Sequence, residues 1–97
     1  MIIDFNQQLT NIVSGQPMVD GDKQKVTLCN VCLEALMSVY ADEKDLNVEK
    51  KMSRYDFALK IREGKVDITA PEVAVLVELI NKRWGTIVAA PSIKMLQ

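Results

Sequence analysis

The chain has 97 residues, 12 of them basic and 13 acidic, so its formal net charge is −1 and no overall field draws it to nucleic acids or anionic membranes. It contains no histidine and only two cysteines, which excludes a zinc knuckle and removes the commonest metal ligand and the commonest general base. A hydrophobic share of 48% supports a single domain over residues 1–97 that folds without metal ions or disulfides.

Residues 1–26 predict a β element, because they are rich in β-branched and turn-forming types. Within this element, Asp20-Gly21 is a favoured pair for the two-residue type I′ turn of a hairpin. An isolated two-stranded hairpin is marginal in water, so the same residues also fit an extended arm that pairs with another subunit. Both arrangements share one pattern, and the sequence does not choose between them.

Residues 27–97 predict a helical body, whose first helix begins at Thr27. The Thr27 hydroxyl is suited to cap a helix N-terminus, and apolar residues then recur at helical spacing until about Ala41. These apolar residues are Leu28, Cys32, Leu36 and Val39.

A second amphipathic helix follows a charged connection at residues 42–45. Asn47 is its predicted cap, and Gly64 is its predicted C-terminal stop. Its apolar residues share one face at three- and four-residue spacing, as in a helix with one buried side. They are Val48, Met52, Tyr55 and Leu59.

The third helix has the clearest local signal in the chain. Thr69 and Glu72 match a capping box, and Pro71 is tolerated in the first turn. Lys82, Arg83 and then Gly85 predict its end. Its core face consists of Val73, Leu76, Val77, Ile80 and Trp84.

A short apolar segment ends the chain, and Pro91 is placed to open a last short helix there. So much apolar surface must pack on the body of the protein or on a partner. The candidate interface residues are Trp84, Ile87, Val88, Ile93, Met95 and Leu96. The predicted fold class is therefore α+β, with a short N-terminal β-hairpin or β arm, three amphipathic helices and this apolar segment.

The C-x-x-C motif at Cys29 and Cys32 is the pattern that most suggests chemistry. A thioredoxin-like site needs a strand leading into such a motif within a βαβ sheet, and the chain shows no βαβ pattern. Free cysteine is among the most buried residue types, so we interpret the pair as part of the buried side of the first helix. We expect free thiols in a reducing cytosol.

The charged residues predict solvated surfaces. The acidic residues lack the alternating ligands, central glycine and closing glutamate of a calcium loop, and the basic ones are interrupted by acids as on ordinary helix surfaces. The four glycines are isolated, so no phosphate loop is predicted. We predict no catalytic residue, metal or cofactor. The acidic residues are Asp20, Asp22, Asp42, Glu43 and Asp45, and the basic ones are Lys44, Lys50, Lys51, Arg54, Lys60 and Arg62.

Three parts of the chain resemble small uncharacterised proteins encoded by tailed bacteriophages. They are Asp4-Phe5-Asn6-Gln7-Gln8-Leu9 with Gly15-Gln16-Pro17-Met18, the Thr27-Leu28 helix start, and Asp67-Ile68-Thr69-Ala70-Pro71-Glu72-Val73. The resemblance spans most of the chain. Its motifs are turns and helix caps, so it identifies no catalytic residue in this sequence. It implies a phage accessory protein that works in the bacterial host cytoplasm by binding.

The leading functional hypothesis is a non-enzymatic protein that binds itself as a homo-oligomer and also binds an unidentified host or phage protein, as inhibitor, adaptor or assembly factor. A second hypothesis is sequestration of a small anionic nucleotide between subunits, with phosphate contacts from Lys23, Lys25 or Lys51. A third is a redox protein that uses Cys29 and Cys32. No apolar run approaches the about 18 to 20 residues that span a bilayer, and the N-terminus lacks a secretion signal, so we expect a cytoplasmic protein without a membrane partner.

Overall fold

The structure, a computed structural model, describes residues 1–43 and 46–97, so the predictions made for Lys44 and Asp45 lie outside the described residues. It has an α+β fold, as predicted, but with four α-helices in its described part where we expected three. In chain order the elements are β1 (Ile2–Asp4), α1 (Leu28–Met37), a 3₁₀ turn (Ala41–Glu43), α2 (Val48–Ile61), β2 (Lys65–Asp67), α3 (Ala70–Arg83) and α4 (Thr86–Met95).

The two strands pair with each other in an antiparallel sheet. Ile3 lies opposite Val66, and both side chains are buried. The first strand therefore pairs within the chain, with a segment beyond α2, whereas we predicted that the β element of residues 1–26 either forms a hairpin of its own or serves as an arm for another subunit. The reason is burial, because this register turns both apolar side chains into the core.

Three isolated bridges shape residues 8–27, and they link Gln8 to Thr27, Thr10 to Pro17 and Val19 to Lys25. A turn lies at Asp20, as predicted, but it is wider than a two-residue type I′ turn. The Asp20 carboxylate accepts hydrogen bonds from the backbone N–H groups of Asp22 and Gln24, each at 2.9 Å. The positive φ of this turn falls on Lys23, at 62°, and not on Gly21.

Helix α1 begins where the sequence predicts and ends earlier. The Thr27 hydroxyl accepts a hydrogen bond from the backbone N–H of Asn30 at 3.3 Å, which confirms the cap. The helix stops at Met37 because the backbone of Ser38 turns extended. The Ser38 N–H still makes the last helical bond, to the carbonyl oxygen of Glu34, and the Ser38 hydroxyl donates to the same oxygen. We predicted that Val39 lies on this helix, but it follows the helix end and is 95% exposed.

Helices α2 and α3 begin with the predicted caps. The Asn47 side chain accepts from the backbone N–H of Lys50 at 2.8 Å, and both hydrogen bonds of the Thr69–Glu72 capping box are present. Gly64 takes a φ of +95° just after α2, which fits its role as a stop. These boundaries follow from contacts within a few residues, and local sequence is enough to predict them.

The C-terminal apolar segment forms α4, which starts at Thr86 with Gly85 as its cap residue. Pro91 therefore lies inside this helix and does not open it, which corrects our prediction. Because proline has no N–H, it leaves the carbonyl oxygen of Ile87 without its usual helical donor. Helix α4 packs against α1 and α3, so the segment lies on the body of the protein.

One hydrophobic core joins the predicted β element to the helical body. Phe5, Leu9 and Met18 from the first 26 residues are buried together with residues of α1, α3 and α4. Helix α1 lies at the centre, in contact with α2, α3 and α4. No helix in the described part of the chain is both long and apolar enough to cross a membrane.

Candidate functional site

Helix α2 has apolar residues on two opposite sides. Its inner side packs on α1 through Ala58 and Ile61, which are buried, with Phe57 half-buried beside them. At about 100° per residue, the predicted apolar face points roughly 140° away from this inner side. That outer face consists of Val48, Met52, Tyr55 and Leu59, which are 74%, 56%, 53% and 43% exposed.

We call these four residues the α2 stripe. The sequence correctly placed them on one face of a helix, but the expectation that this face packs on the body is wrong. The smaller set around Ala58 and Ile61 does so instead, because α1 approaches α2 from that direction. A second apolar set within the same helix is the sequence signal that could have revealed two faces.

Charges of opposite sign line the two edges of the α2 stripe. Lys51 lies along one edge, and Glu49 and Asp56 lie along the other, as their helical positions require. All three side chains are exposed. The stripe is thus an apolar surface with a basic edge and an acidic edge.

A groove of about 750 Å³ runs between α2 and α3, beside the acidic edge of the stripe. Phe57 and Pro71 line it, and Val75, which is 41% exposed, faces it from α3. Lys60 and Glu72 form an ion pair at 3.3 Å on its rim. We call this the α2–α3 groove, and it extends the exposed apolar surface from α2 onto α3.

A smaller cavity, of about 310 Å³, lies between the end of α1 and the other side of α2. Lys51, Arg54 and Tyr55 contribute to its lining. The Arg54 guanidinium is already neutralised by the Glu43 carboxylate, with N···O distances of 2.9 and 2.6 Å. Among the described residues, the cavity therefore offers an anion one exposed lysine, Lys51, and not a cluster of unpaired cations.

The lysines proposed to hold a nucleotide do not lie together within one chain. Lys23 and Lys25 are in the turn region beside the N-terminal end of α1, where the Lys25 carbonyl oxygen accepts from the Asn30 side chain. Lys51 lines the cavity at the opposite end of α1. The ten-residue helix is about 15 Å long, so the chain does not assemble these three lysines into one phosphate site.

The two cysteines are free thiols in a poor environment for redox chemistry. Cys32 is fully buried in the core, and this burial, together with the neighbouring Cys29, raises the pKa of its thiol to about 12. Partial burial also raises the pKa of Cys29, although the positive charge of Arg62 acts in the opposite direction. A reactive site would need the reverse, a lowered pKa.

The candidate interface residues at the C-terminal end have mixed placements. Leu96 is fully buried and belongs to the core, whereas Ile87 is 43% exposed. The half-buried remainder, Trp84, Val88, Ile93 and Met95, packs against the core. The Trp84 indole N–H also donates to the Val31 carbonyl oxygen at 3.2 Å, so this ring is anchored within the chain.

Acidic residues and cysteines form no group of three or more that could hold a metal ion in the part of the chain that the structure describes. Asp42 and Glu43 lie instead in an ion-pair network with basic side chains. The Lys82 ammonium is 2.9 Å from the Asp42 carboxylate, and its hydrogen bond lowers the Asp42 pKa. The network ties the 3₁₀ turn to α2 and α3.

The chain was compared with protein families, with curated proteins and with solved structures. None of them matches it.

Proposed function

We propose that this protein is a non-enzymatic accessory protein of the phage type, which acts in the bacterial host cytoplasm by binding protein. In this proposal it is a homo-oligomer that binds a host or phage protein as inhibitor, adaptor or assembly factor. The single observation that supports protein binding is the exposed apolar surface formed by the α2 stripe and the α2–α3 groove.

The size of this surface is the physical argument. Scattered exposed apolar residues are normal, but here four of them are contiguous on one helix and continue onto Val75 of α3. Contiguous exposed apolar patches of several hundred Å² on soluble proteins are typical of interaction sites. The polar rim, with Glu49, Asp56 and the Lys60–Glu72 ion pair, is typical of the edge of a protein interface.

Capture from bacterial lysate tests this proposal when it is done with matched variants. Val75→Asp places a charge in the α2–α3 groove, at a position that is 41% exposed, so the core is not altered. Ile12→Asp is the control, because Ile12 is 84% exposed in a turn and is not among the residues that line the α2–α3 groove. We expect a bacterial or phage protein to be retained by the wild-type chain and by Ile12→Asp but lost with Val75→Asp.

Two results would contradict the proposal. One is that no protein is retained by the wild-type chain above the level of an empty resin. The other is that the same proteins are retained equally by all three chains, which would make the retention unrelated to the groove.

A further inference from the structure

We propose that the α2 stripe is the self-association surface, and that it pairs with the α2 stripe of a second copy of this chain in a parallel, in-register, two-fold arrangement. This inference rests on the homo-oligomer part of the proposed function and names its surface and geometry. Helix α2 is suited to the role because its outer face points away from α1, on which it packs.

The spacing of the stripe is that of a coiled-coil seam. Its residues are separated by four, three and four positions, which is the alternation of d and a positions over two heptads. In this assignment Val48 and Tyr55 are at d, and Met52 and Leu59 are at a. An isolated helix of 14 residues would be marginal in water, but this one is already formed and held by the rest of the chain.

The charges on the two edges select the parallel orientation. Lys51 is at a g position and Asp56 is at the e position five residues later, which is the pair that meets across a parallel seam. A two-fold axis along the helices therefore brings Lys51 of each chain to the partner subunit's Asp56. An antiparallel pair that places Met52 opposite Tyr55 would join like edges, so that Glu49 meets the partner subunit's Asp56 and Lys51 lies beside the partner subunit's Ala58, with no opposite charge facing it.

The area of the stripe indicates a weak dimer. Each of its four side chains exposes on the order of 100 Å², which amounts to about 400 Å² per chain against the roughly 800 Å² per partner of a standard interface. We therefore expect a dimer whose population changes with concentration, and not an obligate one.

Disulfide cross-linking tests the orientation. In a parallel, in-register pair each a position lies directly opposite its own copy, so Met52→Cys in a Cys29→Ser background should form a disulfide-linked dimer rapidly on mild oxidation. Cys32 remains in this background, because it is fully buried. Ile12→Cys in the same background is the control for random collision, since Ile12 is more exposed than Met52, 84% against 56%, but lies outside the stripe.

The antiparallel alternative gives a different cross-link. It places Met52 of one chain opposite Tyr55 of the other, so the linked dimer would form only when Met52→Cys and Tyr55→Cys chains are mixed. That result, or equal cross-linking of Met52→Cys and Ile12→Cys, would overturn the proposal.

Sedimentation equilibrium with charge variants tests the edge contacts. Lys51→Glu or Asp56→Lys alone creates two like-charge pairs per dimer and should raise the dissociation constant about tenfold. The double variant Lys51→Glu/Asp56→Lys should restore wild-type association, while Lys50→Glu, on an exposed residue outside the seam, should leave it unchanged. Circular dichroism checks that each variant keeps its helices.

A wild-type chain that stays monomeric at high concentration, or a double variant as weak as the single ones, would overturn the proposal. Its failure is distinguishable from failure of the proposed function, because protein capture is measured with the groove variant Val75→Asp. If the wild-type chain is monomeric but captures a protein that Val75→Asp fails to capture, protein binding through the groove stands and only the dimer is rejected.

Discussion

The Arg54 guanidinium holds the Glu43 carboxylate in a two-point ion pair, with N···O distances of 2.9 and 2.6 Å, and so ties α2 to the 3₁₀ turn. Both side chains are less than one-fifth exposed. Helix α2 needs such a contact because only two of its own residues, Ala58 and Ile61, are buried. A charged contact thus supplements a small apolar one in holding the helix that carries the stripe.

The Glu43 contact should make stability depend on pH. The hydrogen bond from Arg54 lowers the pKa of Glu43 below its ordinary value of 4.5, so the folded state gains from ionised Glu43 above that value and loses the gain as pH falls through the lowered pKa. We expect Glu43→Gln to reduce the free energy of unfolding at pH 7 by about 1 kcal/mol, as for a favourable, partly shielded pair.

Urea unfolding at one protein concentration, at pH 7 and then at successively lower pH below 4.5, measures this effect. The difference between wild type and Glu43→Gln should shrink as the pH falls. Glu63→Gln, at an exposed position just after α2, is the control and should change little at any pH. A constant difference across the whole pH range would mean that the variant acts through packing and not through charge.

We expect any side chain at Gly64 to destabilise the folded protein. Its φ is +95°, and a Cβ added there would lie 2.6 Å from the Nδ2 atom of Asn6. We expect Gly64→Ala to lower the free energy of unfolding by about 1 to 3 kcal/mol, because backbone strain adds to the crowding.

Chemical denaturation of Gly64→Ala beside Gly21→Ala checks this. A Cβ at Gly21 meets nothing within 4 Å, and its φ is not in the positive region, so that variant should be close to wild type. Adding Asn6→Ala to Gly64→Ala should recover only the part of the loss that comes from crowding. Equal stability of the two glycine variants would contradict the backbone argument.

The two thiols should react at very different rates. Cys32 is buried with a pKa of about 12, so at pH 8 a thiol reagent should modify it only after unfolding. Cys29 is half-buried with a raised pKa, and it should react in the folded protein more slowly than a small free thiol.

Titration with a chromogenic disulfide, with and without denaturant, follows both groups. Cys29→Ser should leave a single thiol that appears only when denaturant is added. A thiol that reacts in the native protein as fast as free cysteine would instead support the hypothesis of a redox protein that uses Cys29 and Cys32.

Leu96 and Ile87 belong to the same C-terminal segment but differ in burial, so replacing each with alanine should lower the free energy of unfolding by different amounts. Leu96 is fully buried, so Leu96→Ala should lower the free energy of unfolding by about 2 to 4 kcal/mol through lost burial and a cavity. Ile87 is 43% exposed, so Ile87→Ala should cost well under about 1 kcal/mol.

Thermal or urea unfolding of the two variants at low protein concentration measures the difference. Sedimentation equilibrium of the same variants at high protein concentration shows whether either residue affects self-association, as the sequence predicts for this segment. Loss of association in Ile87→Ala without loss of stability would assign the interface to α4 and not to the α2 stripe.

Much of the fold could be read from local patterns. The caps at Thr27, Asn47 and Thr69 and the stop at Gly64 all lie at the predicted ends of helices. Each depends on hydrogen bonds or backbone angles within three or four residues, so neighbouring sequence carries the needed information. The end of α1 was misplaced because apolar Val39 continued a periodic pattern beyond Ser38, where the backbone had already turned extended.

The sequence by itself determined where α1, α2 and α3 begin, which residues share a face and which metal chemistry the histidine and cysteine counts exclude. Only the tertiary structure decided that β1 pairs with β2, that Cys32 lies in the core and that the stronger apolar face of α2 is exposed. Periodicity specifies the relative directions of side chains on one helix, but burial depends on which distant element packs against it. For α2 that element is α1, which covers Ala58 and Ile61 and leaves the stripe open.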